Sequence, residues 1–234
     1  MFLSAVIPAY LERENLKELT PRLITTLDGL GLEYEILYAI EGNDGSREFL
    51  DNLNHPQIRY LYNPERLGIT KSLLMGFAHV LPRADLILTM DADINHQPEE
   101  IPNLLKCLRE KNADIAIGSR YIKGGRVHGM PAWKLFLSRT MNILINVFSG
   151  IKTADKTSGF RIYKKEAAKH IAENIRAKNF EFFPESIILA HKAGFTLAET
   201  PITFINRVRG ESKMGKAQTI FGYFKMFWRK LTPF

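Results

Sequence analysis

The stretch Leu86-Ile-Leu-Thr-Met-Asp-Ala-Asp-Ile-Asn-His96 decides the predicted fold and site. Its apolar start predicts a short buried strand, which ends at Asp91 and Asp93, with Asn95 two positions further on. Like charges repel and neither carboxylate belongs in a core, so the pair is poorly placed to stabilise a fold. Carboxylate and amide oxygens are suitable ligands for Mg²⁺ or Mn²⁺, and such an ion can bind phosphate oxygens at the same time. The stretch therefore predicts a metal–diphosphate site, and the alternative is a surface turn with two solvated acids.

The composition is that of one globular domain. The chain has 234 residues, a net charge of +7 and one cysteine, Cys107, which excludes an internal disulfide. No run reaches the ~18 apolar residues of a membrane-spanning helix, and residues 1–8 lack the basic start of a signal peptide. The positive charge favours anionic partners, namely phosphorylated substrates, an anionic membrane surface or nucleic acid. No nucleic-acid motif is present, and the acidic edge repels phosphates without a metal, so we expect no nucleic-acid partner.

The first half of the chain alternates short apolar runs with helical periodicity. Strands are predicted at 2–7, 35–40, 58–62, 86–90 and 114–118, and helices at 15–27, 47–53, 67–80 and 98–111. Pro21 predicts a kink in the first helix or a later start. This order predicts an α/β fold of Rossmann-like type, a single domain with a mostly parallel central sheet and helices on both faces.

Four polar loops follow predicted strands, at 8–12, 41–46, 91–95 and 119–120. Ligands bind outside the carboxyl ends of the strands in such sheets, so these loops are expected to meet at one edge. An aromatic ring faces a base, and carboxylates accept hydrogen bonds from a base or ribose. We therefore predict a nucleotide pocket, against the alternative of an ordinary loop and an Asn-Asp-Gly turn. Its residues are Pro8, Tyr10, Glu12, Glu41 and Asp44.

The second half is less regular. Residues 121–130 carry three glycines and predict a mobile loop, and residues 155–161 predict a loop entering a strand. Helices are predicted at 132–148, 164–172 and 184–193, with strands at 195–199 and 202–205. His96 is expected to hydrogen-bond within its loop rather than bind metal.

A basic set is spread along the chain and is expected to gather beside the acids. Arginine and lysine there would hold the acceptor phosphate or the donor diphosphate, whereas the alternative is an exposed basic surface. Its members are Arg120, Lys134, Arg207, Arg209 and Lys213.

The chain ends in a predicted amphipathic helix at 219–230 with aromatic and basic residues, including Phe221, Phe224 and Trp228. Such a helix can lie in a membrane interface, or it can close the core. We expect a domain at 1–218 followed by a C-terminal amphipathic helix at 219–234 that associates with the membrane.

Five blocks in order resemble family-2 glycosyltransferases of the GT-A fold, specifically their dolichol-phosphate mannose synthase-like branch. The resemblance covers nearly the whole chain. The blocks are Ile7-Pro-Ala-Tyr-Leu-Glu-Arg-Glu-Asn-Leu16, Met90-Asp-Ala-Asp-Ile-Asn-His-Gln-Pro-Glu-Glu-Ile-Pro102, Ile117-Gly-Ser-Arg-Tyr-Ile-Lys-Gly-Gly125, Thr157-Ser-Gly-Phe-Arg161 and Arg207-Val-Arg-Gly-Glu-Ser-Lys213.

The resemblance implies an inverting, metal-assisted transfer of a hexose, mannose or glucose, from a nucleotide-diphosphate sugar to a polyprenyl or dolichyl phosphate. It implies an enzyme peripheral at the cytoplasmic membrane face, with a membrane-embedded partner subunit as an open question. The implied catalytic residues are Asp93, Arg120, Lys134 and Arg209, and the metal ligands are Asp91, Asp93 and Asn95. The implied acceptor-phosphate residues are Ser119, Arg120, Lys134 and Arg207. The implied nucleotide-sugar residues are Pro8, Tyr10, Glu12, Glu41, Asp44, Lys71, Asp91, Ala92, Arg209 and Lys213.

The chain departs from the family pattern at several positions. Ala9 and Leu11 replace threonine and asparagine, Asn95 replaces glutamine, and Lys156 replaces a common proline. The turn 41–46 is not the usual double-aspartate turn, which leaves open whether Glu41 or Asp44 contacts the base. Two alternatives stay open: a GT-A transferase with a glycan or protein acceptor, and a non-catalytic basic binding protein with a degenerate site.

Overall fold

The computed structural model describes residues 1–206 together with 222, 223, 225 and 226. Within these residues the chain forms a central seven-stranded sheet covered by helices. The strands of this sheet are β1 (Phe2–Tyr10), β2 (Glu33–Glu41), β3 (Ile58–Asn63), β4 (Leu86–Thr89), β5 (Ile115–Ser119), β7 (Arg161–Lys164) and β8 (Leu197–Pro201). The helices are α1 (Arg13–Asp28), α2 (Ser46–Leu53), α3 (Ile69–His79), α4 (Ile101–Glu110), α5 (Ala132–Ser149), α6 (Lys165–Asn174) and α7 (Phe182–Lys192).

Two apolar cores, one on each face of the sheet, hold these layers together. Leu16, Leu19 and Leu23 of α1 are fully buried on one face with side chains of α4, whereas Phe182 and Ile187 of α7 are buried on the other. Helix α3 approaches β1 so closely that a Cβ on Gly76 would lie 2.2 Å from Val6 Cγ1. The prediction of a mostly parallel sheet with helices on both faces is confirmed.

Helix α1 differs from its prediction at Pro21. The helix runs unbroken from Arg13 to Asp28 with Pro21 inside it, although Pro21 donates no backbone hydrogen bond. The prediction of a later start is therefore wrong, and burial of four leucines on one face of α1 explains why the helix persists.

The strand order β3-β2-β1-β4-β7-β5-β8 explains where a ligand would bind. From β1 the chain moves outward in one direction to β2 and β3, and it then returns to place β4 on the other side of β1. Crevices form at such a switch point, outside the carboxyl ends of the strands. The loops after β1 and β4, residues 11–12 and 90–97, flank this position.

Strand β7 is antiparallel to both neighbours, β4 and β5. Its first residue, Arg161, therefore lies near the carboxyl ends of β4 and β5. The loop that precedes β7, residues 153–160, consequently reaches the same edge of the sheet as the acidic stretch after β4.

Residues 121–130 differ from the predicted mobile loop. They include β6 (Arg126–His128), which pairs in parallel with β9 (Thr203–Ile205) to form a second sheet of two strands. Backbone hydrogen bonds extend the pairing, since Arg126 N donates to Ile202 O and Asn206 N donates to His128 O. The three glycines therefore lie beside a paired strand rather than in an open loop.

The described part of the C-terminal segment, residues 222, 223, 225 and 226, is helical and buried except at Lys225. Tyr223 and Met226 belong to the second core, and Lys225 is exposed. The other residues on which the predicted membrane contact rests lie outside the described residues: Phe221, Phe224, Phe227, Trp228, Arg229 and Lys230. The division at 218/219 stays a prediction.

Candidate active site

A cavity of about 420 Å³ opens at the carboxyl edge of the sheet, beside the loops after β1 and β4. This volume lies in the range of ~300–1,000 Å³ that small-molecule sites occupy. Ten of the predicted site residues line it: Pro8, Tyr10, Glu12, Glu41, Asp91, Ala92, Asp93, Asn95, Arg120 and Lys134. The structure thus brings the acidic stretch, the first loop and two members of the basic set to one place.

Three other predicted site residues do not line this cavity. Lys71 is exposed on α3, and Ser119 is fully buried at the end of β5. The Asp44 carboxylate accepts hydrogen bonds from Arg13 N at 2.9 Å and from Ser46 N at 3.0 Å. Burial opposes its charge, but the hydrogen bonds from Ser46 and Arg13 prevail and lower the pKa of Asp44.

Asp44 therefore joins the starts of α1 and α2 through backbone hydrogen bonds, and it does not line the cavity. Three predicted phosphate-binding residues, Arg207, Arg209 and Lys213, lie outside the described residues.

The acidic stretch after β4 forms a tight turn. Asn95 Nδ2 donates to Asp93 Oδ2 at 2.7 Å, and Asn95 N donates to Asp93 Oδ1 at 3.2 Å. Ile94 between them has φ 61°, which is unfavourable for a β-branched residue. The turn directs Asn95 back onto Asp93, and Asn95 Oδ1 is left buried without a hydrogen-bond partner. A buried oxygen of this kind fits a metal ligand better than a structural amide.

Leu11 shares the unusual backbone of Ile94. Its φ is 53°, in the loop between Tyr10 and Glu12, both of which line the cavity. The two other non-glycine residues with positive φ in the described part of the chain are asparagines at helix ends, where asparagine tolerates this conformation. Strained backbone at two apolar residues thus coincides with the edges of the cavity, as at functional sites in general.

His96 does not hydrogen-bond within its loop as expected. Its ring is buried and stacks on Phe160 at 5.2 Å, and Nδ1 has no hydrogen-bond partner. Burial, aided by the charge of Arg120, lowers the pKa of His96 to about 3. The imidazole is therefore neutral at physiological pH and acts as an aromatic wall of the cavity.

Glu41 lines the cavity but also anchors α3. Its Oε2 accepts hydrogen bonds from Leu67 N at 2.9 Å and Gly68 N at 3.3 Å, and its Oε1 accepts one from Ser72. The carboxylate thus orients the loop before α3. The same loop carries Arg66, whose guanidinium lies 4.9 Å from the centre of the Tyr10 ring.

The basic wall of the cavity is organised by a buried ion pair. Arg120 Nε and Nη2 donate to the two oxygens of Asp155 at 2.7 and 2.8 Å, and Arg120 N donates to Asp155 Oδ2 at 3.1 Å. Arg120 is 9% exposed and Asp155 is fully buried. Burial opposes both charges, but mutual attraction prevails, so the pKa of Arg120 is raised and that of Asp155 is lowered.

The guanidinium of Arg120 keeps one edge toward the cavity. Nη2 also donates to Thr157 Oγ1 at 2.8 Å, whereas no hydrogen bond to the described residues uses Nη1. Its faces lie against Phe204 and Tyr121, with centroid distances of 5.4 and 5.1 Å. Asp155 and the two rings thus hold Arg120 in one orientation.

The loop that carries Asp155 is fixed from three sides. Glu199 accepts hydrogen bonds from Ala154 N at 2.7 Å and Asp155 N at 2.9 Å. Asn142 on α5 accepts one from Lys156 N at 2.7 Å. The buried Lys156 ammonium donates to Asn146 and to the Thr153 carbonyl. Burial lowers the pKa of Lys156 to about 8, although Glu199 and Asp155 oppose the shift.

Several cavity residues escaped the sequence reasoning: Arg66, Ser72, Met130, Leu137, Ser138, Asn179, Phe180 and Tyr223. Asp155, which holds Arg120, also escaped it. The available signal was the block Thr157-Ser-Gly-Phe-Arg161, because a motif that precedes a strand marks a loop at a sheet edge. The sequence did not indicate that β7 is antiparallel to its neighbours, and this direction brings the loop to the carboxyl edge of the sheet.

Comparison with known proteins supports the predicted family. Residues 4–172 match the glycosyl transferase family 2 domain. The chain is 34% identical to the dolichol-phosphate mannosyltransferase of Pyrococcus furiosus, over 98% of this chain and 63% of that protein. It is 33% identical to the polyprenol monophosphomannose synthase of Mycolicibacterium smegmatis, over 94% of this chain and 84% of that protein. The chain thus spans less than two thirds of the length of the Pyrococcus relative.

Solved structures confirm the GT-A fold. Glucosyl-3-phosphoglycerate synthase from Mycobacterium tuberculosis in complex with phosphoglyceric acid superposes with a TM-score of 0.76 at 14% identity, covering 100% of this chain and 81% of that chain. The same synthase in complex with Mn²⁺, uridine diphosphate and phosphoglyceric acid gives 0.72 at 15% identity, covering 98% of this chain and 77% of that chain. At such low identity the likeness concerns the fold alone.

Proposed function

This chain belongs to glycosyl transferase family 2, and we propose that it transfers a hexose from a nucleotide-diphosphate sugar to a polyprenyl phosphate. The observation that carries the proposal is one cavity with Asp91 and Asp93 on one wall and Arg120 and Lys134 on another. Two anions, a diphosphate and a phosphate monoester, must meet in such a reaction. A metal on the acidic wall and cations on the opposite wall would hold them together.

The chemistry is an inverting displacement at the anomeric carbon. An oxygen of the acceptor phosphate forms a bond to this carbon while its bond to the diphosphate oxygen breaks, and the diphosphate leaves with the electron pair. A phosphate monoester is largely dianionic at neutral pH, so no base has to remove a proton from it. Catalysis therefore rests on positioning and on stabilising charge in a preorganised site.

The residues after β4 suit a divalent cation, Mg²⁺ or Mn²⁺. Asp91, Asp93 and Asn95 would hold it, and the buried Asn95 Oδ1 without a partner supports this assignment. When bound, the metal acts as a Lewis acid for the leaving diphosphate. The two carboxylates also keep that wall negative, so an anion is disfavoured there without a cation.

The phosphate-binding role of Arg120 follows from its surroundings. Asp155 and Thr157 fix Nε and Nη2, and Nη1 is the edge left for the acceptor phosphate. Lys134, at the start of α5, lines the same cavity and adds a second positive charge. Arg207, Arg209 and Lys213, which the family resemblance assigns to phosphates, lie outside the described residues.

A hydroxyl acceptor on a glycan or protein is the less favoured alternative. Such an acceptor needs a base, and the cavity carboxylates other than Asp91 and Asp93 are Glu12 and Glu41 among the described residues. Glu41 already accepts three hydrogen bonds, and Glu12 accepts one from Asn15. His96 lines the cavity, but burial lowers its pKa to about 3, which makes it a weak base. These side chains serve structure better than proton transfer.

The proposal includes peripheral contact with the cytoplasmic membrane face, where the lipid acceptor is found. No helix of the described residues has the length and apolar character needed to cross a bilayer. A membrane-embedded partner subunit would be a further way to reach the lipid, and its presence is also a proposal.

The test is transfer from a panel of guanosine- and uridine-diphosphate hexoses with Mn²⁺, using a polyprenyl phosphate or the matching neutral polyprenol as acceptor. We expect a lipid-linked sugar with the phosphate only. Transfer to the neutral polyprenol at an equal rate would reject the phosphate-specific reaction. Formation of no lipid-linked product from any donor, with Asp93→Ala indistinguishable from wild type, would reject the activity.

A further inference from the structure

Strand β9 and the residue before it are joined by backbone hydrogen bonds to both sides of the candidate active site. Ile205 N donates to Asn95 O at 3.0 Å, which attaches β9 to the acidic stretch after β4. Ile202 N donates to Ser119 O at 3.1 Å, at the end of β5. Ser119 directly precedes Arg120 of the basic wall. Residues 202–205 therefore contact both walls of the cavity through the backbone.

Two further contacts hold this segment in place. Thr203 N donates to Glu100 Oε1 at 2.8 Å, a few residues beyond the acidic stretch. Ile202 packs so closely on β5 that a Cβ on Gly118 would lie 2.9 Å from Ile202 Cγ2. The pairing of β9 with β6 fixes it from the other side. The position of residues 202–205 is thus determined by contacts with three separate parts of the chain.

The side chain of Phe204 also connects the two walls. Its ring lies edge-on to the ring of His96, with 5.5 Å between the ring centres and 77° between the planes. The guanidinium carbon of Arg120 lies 5.4 Å from the centre of the same Phe204 ring. Because His96 directly follows Asn95, one ring contacts a residue from each side of the cavity. Edge-to-face and cation–π contacts are favourable and depend on geometry.

The apolar cores do not explain the burial of Phe204. It is 8% exposed and lines the cavity, but within the described part of the chain it belongs to neither core. Phe195 provides a contrast, because its ring lies 5.6 Å from that of His170 but packs against the second core and does not line the cavity. The surroundings of Phe204 therefore indicate a role in the site.

We propose that Phe204 is a positioning residue that sets the placement of the acidic stretch relative to Arg120, with β9 as its backbone support. The inference rests on the proposed function, in which a diphosphate on the acidic wall and an acceptor phosphate beside Arg120 must be aligned for displacement. Each wall can bind its own anion without Phe204, but the alignment of the two anions depends on it. A small misplacement of reacting groups lowers the rate strongly.

The first test is amide hydrogen exchange of the full chain without metal or nucleotide, so failure of the glycosyl transfer does not affect the result. Phe204→Leu keeps an apolar side chain but removes the ring. We expect residues 91–97 and 119–121 to exchange about tenfold faster, because both segments lose a contact with the ring. Phe204→Tyr keeps the ring and should retain the wild-type rates. Phe195→Leu is the matched control and should leave both segments unchanged.

Steady-state kinetics separate positioning from a purely structural role. With Mn²⁺, a nucleotide-diphosphate hexose and a polyprenyl phosphate, Phe204→Leu should lower kcat about 10²-fold. The KM for either substrate should change less than about threefold, because each wall still binds its anion. Phe204→Tyr should restore most of kcat. A purely structural residue would lower the melting temperature and leave kcat per folded molecule unchanged.

Ile205→Pro tests the backbone connection while leaving Phe204 in the chain. Proline lacks the N–H that binds Asn95 O, and a strand tolerates proline where its N–H is not used by the paired strand. The Ile205 side chain is 41% exposed, so its own loss should matter little. We expect faster exchange in residues 91–97 only, together with a lower kcat. Ile205→Ala keeps the N–H and is the control.

The proposal is overturned if folded Phe204→Leu exchanges at the wild-type rate in either segment. It is also overturned if both segments exchange faster while kcat stays at the wild-type value. If the wild type transfers no hexose, the proposed function fails, whereas hydrogen exchange still decides whether Phe204 joins the two walls. Should Phe204→Leu not fold, wild-type exchange in residues 91–97 of Ile205→Pro would overturn the connection.

Discussion

The two walls of the cavity reach the same edge of the sheet by different routes. The acidic wall comes from one short stretch, Asp91 to Asn95, immediately after β4. The basic wall is assembled from Arg120 after β5, Ser138 on α5 and the loop 155–157 before β7. The first is local in sequence, since the hydrogen bonds from Asn95 to Asp93 span two residues, and Asn95 Oδ1 has no hydrogen-bond partner among the described residues. The second is a closed network around a buried ion pair.

This difference shows how each wall can fail. If the local turn holds a metal, as proposed, its substitution should reduce metal binding and activity and leave the fold intact. A buried ion pair is part of the fold, so its disruption should affect stability and positioning together. The predictions below separate the two walls on these grounds.

The largest effect is expected for Asp93→Ala. Loss of a metal ligand removes several kcal/mol of transition-state stabilisation, so kcat/KM should fall at least ~10³-fold. The melting temperature without metal should change little, because the hydrogen bonds that Asp93 accepts from Asn95 join residues only two positions apart. Initial rates with Mn²⁺ and scanning calorimetry measure both quantities. Asp51→Ala, a substitution on the exposed side of α2, serves as control, and a similar loss of activity there would contradict the assignment.

Asp155→Asn tests the basic wall. The change leaves Arg120 buried without its counter-charge, so the free energy of unfolding should fall by about 3–5 kcal/mol. Below the melting transition, kcat/KM for the lipid phosphate should also fall about 10²-fold, because Arg120 loses its fixed orientation.

Two controls separate this effect from a general loss of charge. Glu33→Gln removes one partner of an exposed ion pair, in which Arg83 Nη1 lies 2.8 Å from Glu33 Oε2. This change should lower the free energy of unfolding by less than about 1 kcal/mol. The double variant Arg120→Gln, Asp155→Asn should lose less stability than the sum of its single variants, as coupled residues do. If urea unfolding shows that the stability loss of the double variant equals the sum of the two single losses, the two side chains act independently.

Asn95→Leu tests whether Asn95 is a metal ligand on the acidic wall. Leucine keeps the approximate volume of asparagine but offers no oxygen, so the apparent Kd for Mn²⁺ should rise about tenfold. Asn95→Gln keeps an amide oxygen, so its apparent Kd for Mn²⁺ should rise less than that of the leucine variant. The measurement is the Mn²⁺ dependence of the melting temperature with a nucleoside diphosphate present. Equal Mn²⁺ affinity of the leucine variant and wild type would exclude Asn95 as a ligand.

The last prediction is a pH dependence of the free energy of unfolding that comes from Lys156, in the loop that holds Asp155. Its pKa is lowered from 10.5 to about 8. Between these values the unfolded chain binds a proton that the folded chain does not, so Lys156 makes stability rise with pH.

Relative to Lys156→Met, the free energy of unfolding of wild type should therefore rise by up to about 1.4 kcal/mol per pH unit from pH 8 to 10. Urea unfolding of both proteins at several pH values in this range measures the slope. Parallel pH profiles would mean that the Lys156 pKa is not lowered by folding.

The sequence predicted most of the fold because its strands are short, apolar and separated by helices of clear periodicity. The prediction failed where a tertiary partner decided the outcome. Residues 126–128 have no strand pattern of their own and extend only because β9 pairs with them. Pro21 would interrupt an isolated helix, but burial of the leucines around it keeps α1 continuous.

The candidate site divides in the same way. Asp91, Asp93 and Asn95 could be read from the sequence, because carboxylates after a buried strand have little structural use. Asp44 has the same chemistry, but it accepts backbone hydrogen bonds at the starts of α1 and α2, and no local pattern distinguishes the two cases. Asp155 carried no signal by itself, since its importance comes from a partner 35 positions away.

The sequence by itself determined the family, the alternation of strands and helices, and the acidic turn, because these depend on residue types at short spacing. Only the tertiary structure decided which charges meet. The position of β4 beside β1 and the antiparallel entry of β7 bring Asp93, Arg120 and Asp155 to one edge. The physical reason is that the interaction of two charges depends on their separation and burial, which the folded sheet sets and the spacing along the chain does not.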